Sequence, residues 1–378
     1  MKKHILLSFL LCLSYTLWGN IYFKHLGKPD GLSSFSVLSI CQDELGRMWF
    51  GTLEGVSCYD GNAVKVYKPS LTDDADFLGN QVGDIVSDKN GSVFFTSDKM
   101  LVRYDIYKEQ FFPLQQRASC LNVCGKEVYA ATKNSVLKWD AGKQAFVQIY
   151  RMKSQRSISC LYVDVNNSLW IGTSTGLYRL SGSDRKDPVC VIPHIPILSL
   201  YRDSKGRMWV ATFRRGMYKV ENGTASPYPA EGGQVLSSED VRCFTEDNEG
   251  NIWAGTFNAL NKIDTLGNIS YYQRDLLPGS LTHSSVFSLY KDVQGSIWVG
   301  TYYGGVHYFN PGKDIFRHYS ENADRTDCLG FFYIGKMAED KRGNLWICTE
   351  GGGMDHLDRN TGAFTHYPAN GHPRGVPH

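Results

Sequence analysis

Apolar and polar residues alternate along this chain in short runs, and each run stops at a turn. Val37 and Ile40 stand six and three positions before Asp43; Ile158 and Leu161 precede Asp164 in the same way, Ile197 and Leu200 precede Asp203, Val286 and Leu289 precede Asp292, and Ile334 and Met337 precede Asp340. This pattern predicts a short strand buried in a packed sheet. The following D-x-x-G step predicts a tight hairpin, because Asp can bond its own turn backbone and Gly accepts positive φ. A second strand carries a Trp and a β-branched or apolar neighbour. Gly or Ala after it lets adjacent sheets approach closely. A third strand follows, as at Gly176 to Leu180 and Gly216 to Val220. A fourth ends on an aromatic residue, as at Phe316 to Tyr319 and Phe364 to Tyr367.

The unit occurs eight times. Its aromatic anchors are Trp49, Phe94, Tyr129, Trp170, Trp209, Trp253, Trp298 and Trp346. Two copies are degenerate, one around Asp88, Gly91 and Phe94, the other around Gly125 and Tyr129 with a shortened hairpin. Periods near 40 to 45 residues with four strands each predict an all-β fold, a β-propeller of four-stranded antiparallel blades. A single sheet cannot bury both faces, whereas stacking sheets around an axis gives each face a partner and leaves only short edges. The six Trp anchors are therefore structural core residues before they are anything else. Tyr22 to Leu26 reads as a fourth strand placed before the first inner strand. Two closures follow: a seven-bladed ring with the eighth unit starting a second propeller, which is preferred, or an eight-bladed ring. The expected division is a signal peptide at 1–19, blades 1–7 at 20–325, and the eighth unit with a truncated C-terminus at 326–378.

The signal peptide rests on Lys2, Lys3 and His4 followed by the uncharged apolar run Ile5 to Trp18, too short for a confident membrane span. An uncleaved anchor is the alternative. Export implies a periplasmic location. Composition is ordinary for a globular chain, with 42% hydrophobic and 21% charged residues, so disorder is not expected. The net charge of +2 offers no basic face for nucleic acid. Of ten cysteines, nine remain after the signal segment. Cys120 and Cys124 would stand about 13 Å apart on one strand at ~3.3 Å per residue, too far for a bridge. Most cysteines are thus expected to be small buried hydrophobes. No Cys/His cluster has zinc spacing and there is no HExxH pair, so neither metal nor cofactor is expected.

With these units in view, the chain resembles the two-component regulator propeller repeat, D-x-x-G-x-L-W-I-G-T-x-x-G-L-x-x-Y-D. Asp43 to Asp60 fits it, including Gly55, Tyr59 and Asp60, and Phe23 to Ser34 resembles the start of such sensors. The hairpin also resembles the Asp-box of sialidases, itself structural, which implies no catalysis. The resemblance implies the periplasmic sensor region of hybrid two-component histidine kinases of Bacteroides-type bacteria, whose plan is two seven-bladed propellers, an immunoglobulin-like domain, a membrane span, a kinase, a receiver and a DNA-binding module. It implies carbohydrate sensing. This chain is expected to be an N-terminal fragment of that plan, without kinase activity. Membrane contact is expected only through a missing C-terminal part or an uncleaved signal, and a homodimer only through missing regions.

Function is expected on loops held by the rigid scaffold. The turns after the conserved Thr carry Glu54, Phe213, Arg214, Arg215, Phe257, Asn258, Tyr302, Tyr303 and Glu350. Aromatic faces suit the C–H patches of sugars and polar groups suit their hydroxyls, so these residues are the candidate site for an oligosaccharide or other small ligand. Arg214 and Arg215 could grip a carboxylate or sulfate. Exposed turns are polar and varied in any protein, so a solvated rim or a protein-interaction surface competes with this reading. A glycan-degrading or lyase-type enzyme is a further alternative. It needs two carboxylates across one cleft, and Glu54 with Glu350 would be such a pair only if an eight-bladed ring made their units neighbours. No catalytic residue is expected.

Overall fold

The computed structural model describes residues 21–68, 77, 79–153, 156–181, 188–230, 232–276, 279–312, 319, 321, 326 and 328–369. These residues form eight four-stranded antiparallel sheets and one short 3-10 turn, Lys28–Asp30. The expected signal peptide lies outside the described residues, as does most of the expected strand at Phe316 to Tyr319. No helix among the described residues is long and apolar enough to cross a membrane. Two compact units result, one spanning Phe23–Asp314 and the other containing Ile315–His378.

In the first unit the inner strands of blades 1 to 7 are Val37–Gln42, Val82–Ser87, Cys120–Cys124, Ile158–Val163, Ile197–Arg202, Val241–Glu246 and Val286–Lys291. Each packs beside the next, and the seventh packs beside the first. The ring closes through the short strand Lys24–Leu26, which pairs with Val306–Phe309 and supplies blade 7 with its outer strand. Further contacts join blade 7 directly to blade 1. Ser288 Oγ donates to the Val37 carbonyl at 3.3 Å, and Gly305 N–H donates to the Phe35 carbonyl at 2.8 Å. The alternative of an eight-bladed ring is thereby overturned: no room for another sheet exists where blades 7 and 1 already bond to each other. The eighth sheet, Ile334–Glu339, Leu345–Thr349, Gly353–Leu357 and Phe364–Tyr367, belongs to the second unit.

The repeat consensus is explained by two contacts. The hairpin Asp is the first: Asp43 Oδ1 accepts the N–H groups of Leu45 and Arg47 at 3.0 and 2.9 Å, while Oδ2 accepts Trp49 Nε1–H at 2.8 Å. The Trp clamp recurs from Trp209 to Asp203, Trp253 to Asp247 and Trp298 to Asp292 at 2.8–2.9 Å. One carboxylate thus satisfies the turn and the buried indole together. Trp170 departs from the pattern. Arg202 takes Asp164 Oδ2 at 3.1 Å, and the buried Trp170 Nε1 has no partner.

The glycine two residues after Trp49, Trp170, Trp253 and Trp298 is the second. A Cβ on Gly300 would stand 2.2 Å from Ser288 Oγ and 2.9 Å from the Val37 carbonyl; on Gly255 it would stand 2.5 Å from Cys243 Sγ and 2.6 Å from Val286 Cγ1. The missing side chain is what lets the next blade's first core residue sit there.

Of the described cysteines, Cys41, Cys58, Cys120, Cys124, Cys160, Cys190, Cys243 and Cys348 are free thiols. Cys41, Cys58, Cys120, Cys160 and Cys328 are buried, but Cys190 and Cys348 are exposed, so the buried-hydrophobe expectation fails for those two. Burial pushes the Cys58, Cys160 and Cys243 thiols up to about 12, which leaves them protonated and unreactive.

Candidate functional site

In the ring, the turns between second and third strands lie at the same end as the loops that enter each inner strand, and backbone bonds tie them together. Leu53, Phe213, Phe257 and Tyr302 each donate N–H to the residue just before their own inner strand: Ser36, Pro196, Asp240 and Ser285, at 3.0–3.3 Å. The far side of the turn is tied to the following blade, Gly55 to Asn80, Gly216 to Glu239 and Gly305 to Phe35, at 2.8–2.9 Å. This end is therefore a rim whose turns are restrained by backbone bonds.

A second device secures the loops of blades 1, 6 and 7. A buried polar residue of the third strand accepts a loop N–H. Ser57 Oγ takes Ser33 N–H, Asn261 Oδ1 takes Ser237 N–H, and His307 Nε2 takes Thr282 N–H, all at 3.0 Å. The eighth sheet repeats it with Asp355 Oδ2 and Gly330 N–H at 2.8 Å. Sequence reading missed these pins. Their signal was present, as a Leu followed by Ser or Thr at Leu32–Ser33, Leu236–Ser237 and Leu281–Thr282.

His307 is fully buried. Because Nε2 accepts a hydrogen bond, the proton of the neutral ring lies on Nδ1, which has no partner. Burial, followed by the charge of His25, whose ring lies 4.8 Å away, holds its pKa down at about 3.

The candidate side chains distribute unevenly over the rim. Glu54 is exposed and pairs with Lys28 at 3.4 Å. Phe213, Phe257 and Tyr303 are 45%, 53% and 60% exposed, a large apolar presentation for single turn residues. Arg214, with φ +55°, lays its guanidinium over Phe213 at 4.9 Å. Arg215 and Asn258 are exposed, and Asn258 Nδ2 donates to the Ser237 carbonyl at 3.4 Å. Glu350 is exposed in the other compact unit. The pairing of Glu54 with Glu350 on neighbouring blades is thus corrected, because the ring neighbour of blade 1 on that side is blade 7.

Blades 6 and 7 gather the rest. The Arg242 guanidinium lies near two rings, 4.3 Å from Phe287 and 5.2 Å from Phe257. Its Nη1 donates to Ser285 Oγ at 2.8 Å and its Nη2 to Asp240 Oδ2 at 3.1 Å. Phe287 meets Tyr302 at 5.4 Å, Tyr302 meets Tyr303 at 4.2 Å, and His283 stands 6.1 and 6.4 Å from these tyrosines. His283 Nδ1 accepts Ser285 N–H at 3.1 Å; burial and then the Arg274 charge lower its pKa. Arg242, Phe287 and His283 were not among the sequence candidates. They sit at or just before the inner strands, where the repeat pattern reads every position as core.

Arg242 and Phe287 also line a central channel of about 330 Å³ formed by all seven inner strands. Asp84 is the acidic side chain of its wall; Oδ2 accepts Leu121 N–H at 2.9 Å, and burial raises its pKa. Among the described residues no group of three or more His, Cys, Asp or Glu gathers to hold a metal ion.

Comparison with known proteins follows this geometry. The family model described as two component regulator propeller matches residues 31–54, 153–175, 192–214, 235–258 and 280–303. These are the segments in which a loop, an inner strand, the Asp hairpin and the rim turn succeed one another. A histidine kinase of Formosa agariphila is 39% identical over 69 residues, 18% of this chain and 5% of its own. Among solved structures, the extracellular domain of a hybrid two-component system of B. thetaiotaomicron, BT3049, is 21% identical with a TM-score of 0.73, over 92% of this chain and 49% of that one. The extracellular domain of a second B. thetaiotaomicron system, BT4673, is 17% identical with a TM-score of 0.66, over 92% of this chain and 53% of that one. A streptogramin B lyase is similar at a TM-score of 0.56 and 13% identity, over 77% of this chain. At such identities these structures share the fold. The chain spans about half the length of the sensor domains it matches.

Proposed function

We propose, because this chain is built of two-component regulator propeller repeats, that it is the ligand-sensing extracytoplasmic part of a signalling receptor, and that its ligand is a carbohydrate or glycan fragment held at the rim of blades 5 to 7. The carrying observation is the aromatic arc of Phe257, Phe287, Tyr302 and Tyr303 around the clamped Arg242. Aromatic faces cover the C–H faces of a sugar ring, and the polar groups between them take its hydroxyls. Backbone ties on one side of the Phe257 turn and on both sides of the Tyr302 turn restrain that arc, which suits a receptor that must report occupancy. The reading includes no turnover. The eighth sheet is read as the first blade of a further propeller, and membrane attachment and any pairing of receptor copies as work of other parts of the receptor.

The test is a glycan-library thermal-shift screen on the chain, followed by calorimetry on any hit. A saturable rise in melting temperature is expected, abolished by Phe257→Ala combined with Tyr303→Ala, two exposed residues whose removal leaves the core intact. Absence of a shift with every glycan, or release of products from a glycan substrate, would overturn the proposal.

A further inference from the structure

We infer that the rim of blades 5 to 7 selects a ligand carrying an anionic oxygen group, a carboxylate or a sulfate ester, seated beside its sugar ring. The inference rests on the carbohydrate reading above and adds the charge of the ligand.

A guanidinium has five N–H donors and no acceptor. Arg242 uses one on Ser285 Oγ and one on Asp240 Oδ2, so three remain. Two hydrogen bonds and two nearby rings restrain it, and its fork matches planar oxyanions. His283 adds another donor. Its Nδ1 is occupied by Ser285 N–H, so the neutral ring can offer only Nε2–H, and it stands beside Tyr302 and Tyr303. Arg214, Arg215 and Arg274 are exposed and make no ion pair among the described residues.

The positions of these groups are tied together. Gly216, next to Arg215, bonds the Glu239 carbonyl, and Asp240 accepts Phe257 N–H through its own carbonyl. Arg274 N–H donates to Ser284 Oγ at 3.0 Å, one residue from His283. Arg214 keeps a left-handed backbone, φ +55°. On the acceptor side, Asp240 is already engaged by Arg242, and Glu239 and Asp275 neighbour Asp240 and Arg274 in the chain, so four arginines stand against three carboxylates. The arc is therefore rich in donors and positive, and the missing partner is an acceptor-rich anion. In blade 1, next around the ring from blade 7, Glu54 is balanced by Lys28 and no comparable excess arises.

The test compares matched ligand pairs by calorimetry at low salt. One pair is a galacturonate trimer and its methyl ester; the other is a sulfated chondroitin disaccharide and its unsulfated form. The inference expects the charged member of at least one pair to bind at least tenfold tighter, with affinity falling as salt rises. It expects Arg214→Gln with Arg215→Gln to remove most of that preference while leaving the melting temperature unchanged. Arg242→Lys keeps the charge but not the fork and should weaken the charged ligand specifically. The carboxylate pair and the sulfate pair separate the two oxyanion sources. Equal affinity for charged and neutral members overturns this inference and leaves the carbohydrate reading standing. Binding of neutral sugars alone also overturns it. No binding of any saccharide in these pairs or in the library overturns both.

Discussion

Blade 7 and the eighth sheet carry nearly the same hairpin and have different fates. Val286 opens the inner strand of blade 7 with no exposure, whereas its counterpart Ile334 is 40% exposed, and every residue of Ile334–Glu339 is exposed. Trp298 is buried and donates to Asp292; Trp346 is half-buried, and Asp340 has His356 Nε2 at 3.6 Å as its side-chain partner. Both Asp residues nevertheless make the same turn. Asp292 Oδ1 accepts Gln294 and Ser296 N–H, and Asp340 Oδ1 accepts Arg342 and Asn344 N–H, all within 2.7–3.0 Å. The turn is a local product of D-x-x-G. The burial is a product of neighbours, and the indole clamp goes with it.

Truncating the two kinds of Trp breaks this comparison most forcefully. Trp253→Ala, at a fully buried anchor, should cost about 3–5 kcal/mol of ring stability. Trp346→Ala should cost less than half as much. Urea unfolding with a probe in each unit measures both, and equal losses would show that the eighth sheet is as tightly covered as the ring.

A reciprocal exchange sharpens the point at one atom. The glycine position beside the Trp is Gly300 in blade 7 and Cys348, exposed, in the eighth sheet. Gly300→Cys pushes a side chain into the Val37 backbone and Ser288, and overpacking of this kind costs about 1–3 kcal/mol. Cys348→Gly should change stability by under about 1 kcal/mol. Melting temperatures of the two variants decide it, and a harmless Gly300→Cys would mean that blades 7 and 1 are not in close contact.

Removal of the hairpin Asp separates its two tasks. Asp247→Ala orphans the buried Trp253 Nε1–H as well as the turn donors, at about 2 kcal/mol. Asp340→Ala loses a half-exposed turn and the longer His356 contact, about 1 kcal/mol or less. A shifted near-ultraviolet tryptophan signal is expected only for Asp247→Ala.

This contrast also explains how much could be read beforehand. Asp43, Gly46, Trp49 and Gly51 act on one another within one hairpin or on the repeat next door, so the spacing of like residues exposed blades and ring alike. Ring closure was foreshadowed by the strand-like Tyr22 to Leu26, but the choice between seven and eight blades needed the contact of Val37 with Gly300, which lie far apart in the chain. The rim was half legible. Phe257, Tyr302 and Tyr303 follow the repeat's Thr and could be picked by position. Arg242 and Phe287 could not, because the inner strand's core pattern hides which of its residues tilt toward the channel mouth. The pins of Asn261 and His307 were hidden for a related reason: an isolated polar residue in an apolar strand has no partner visible in sequence.

The last and smallest effect compares those two pins, which hold equivalent loops by different chemistry. Asn261 cannot titrate; His307 must stay neutral to accept Thr282 N–H. Its folded pKa of about 3 lies below the ordinary value of 6.5, so the unfolded chain binds a proton that the folded one refuses throughout that window. Stability from this group is fully present above pH 6.5 and declines as pH falls, approaching about 1.4 kcal/mol per pH unit. His283, also depressed, acts in the same direction. The carboxylates whose pKa values are lowered, such as Asp60 and Asp264, titrate below this range and do not confuse it. His307→Asn replaces the titrating acceptor with the one blade 6 already uses. Its urea midpoint should fall less between pH 7.0 and 5.5 than that of the parent, by the equivalent of about 1 kcal/mol, whatever small packing loss it shows at pH 7.0. Parallel declines in parent and variant would place the acid sensitivity elsewhere and make the two pins interchangeable.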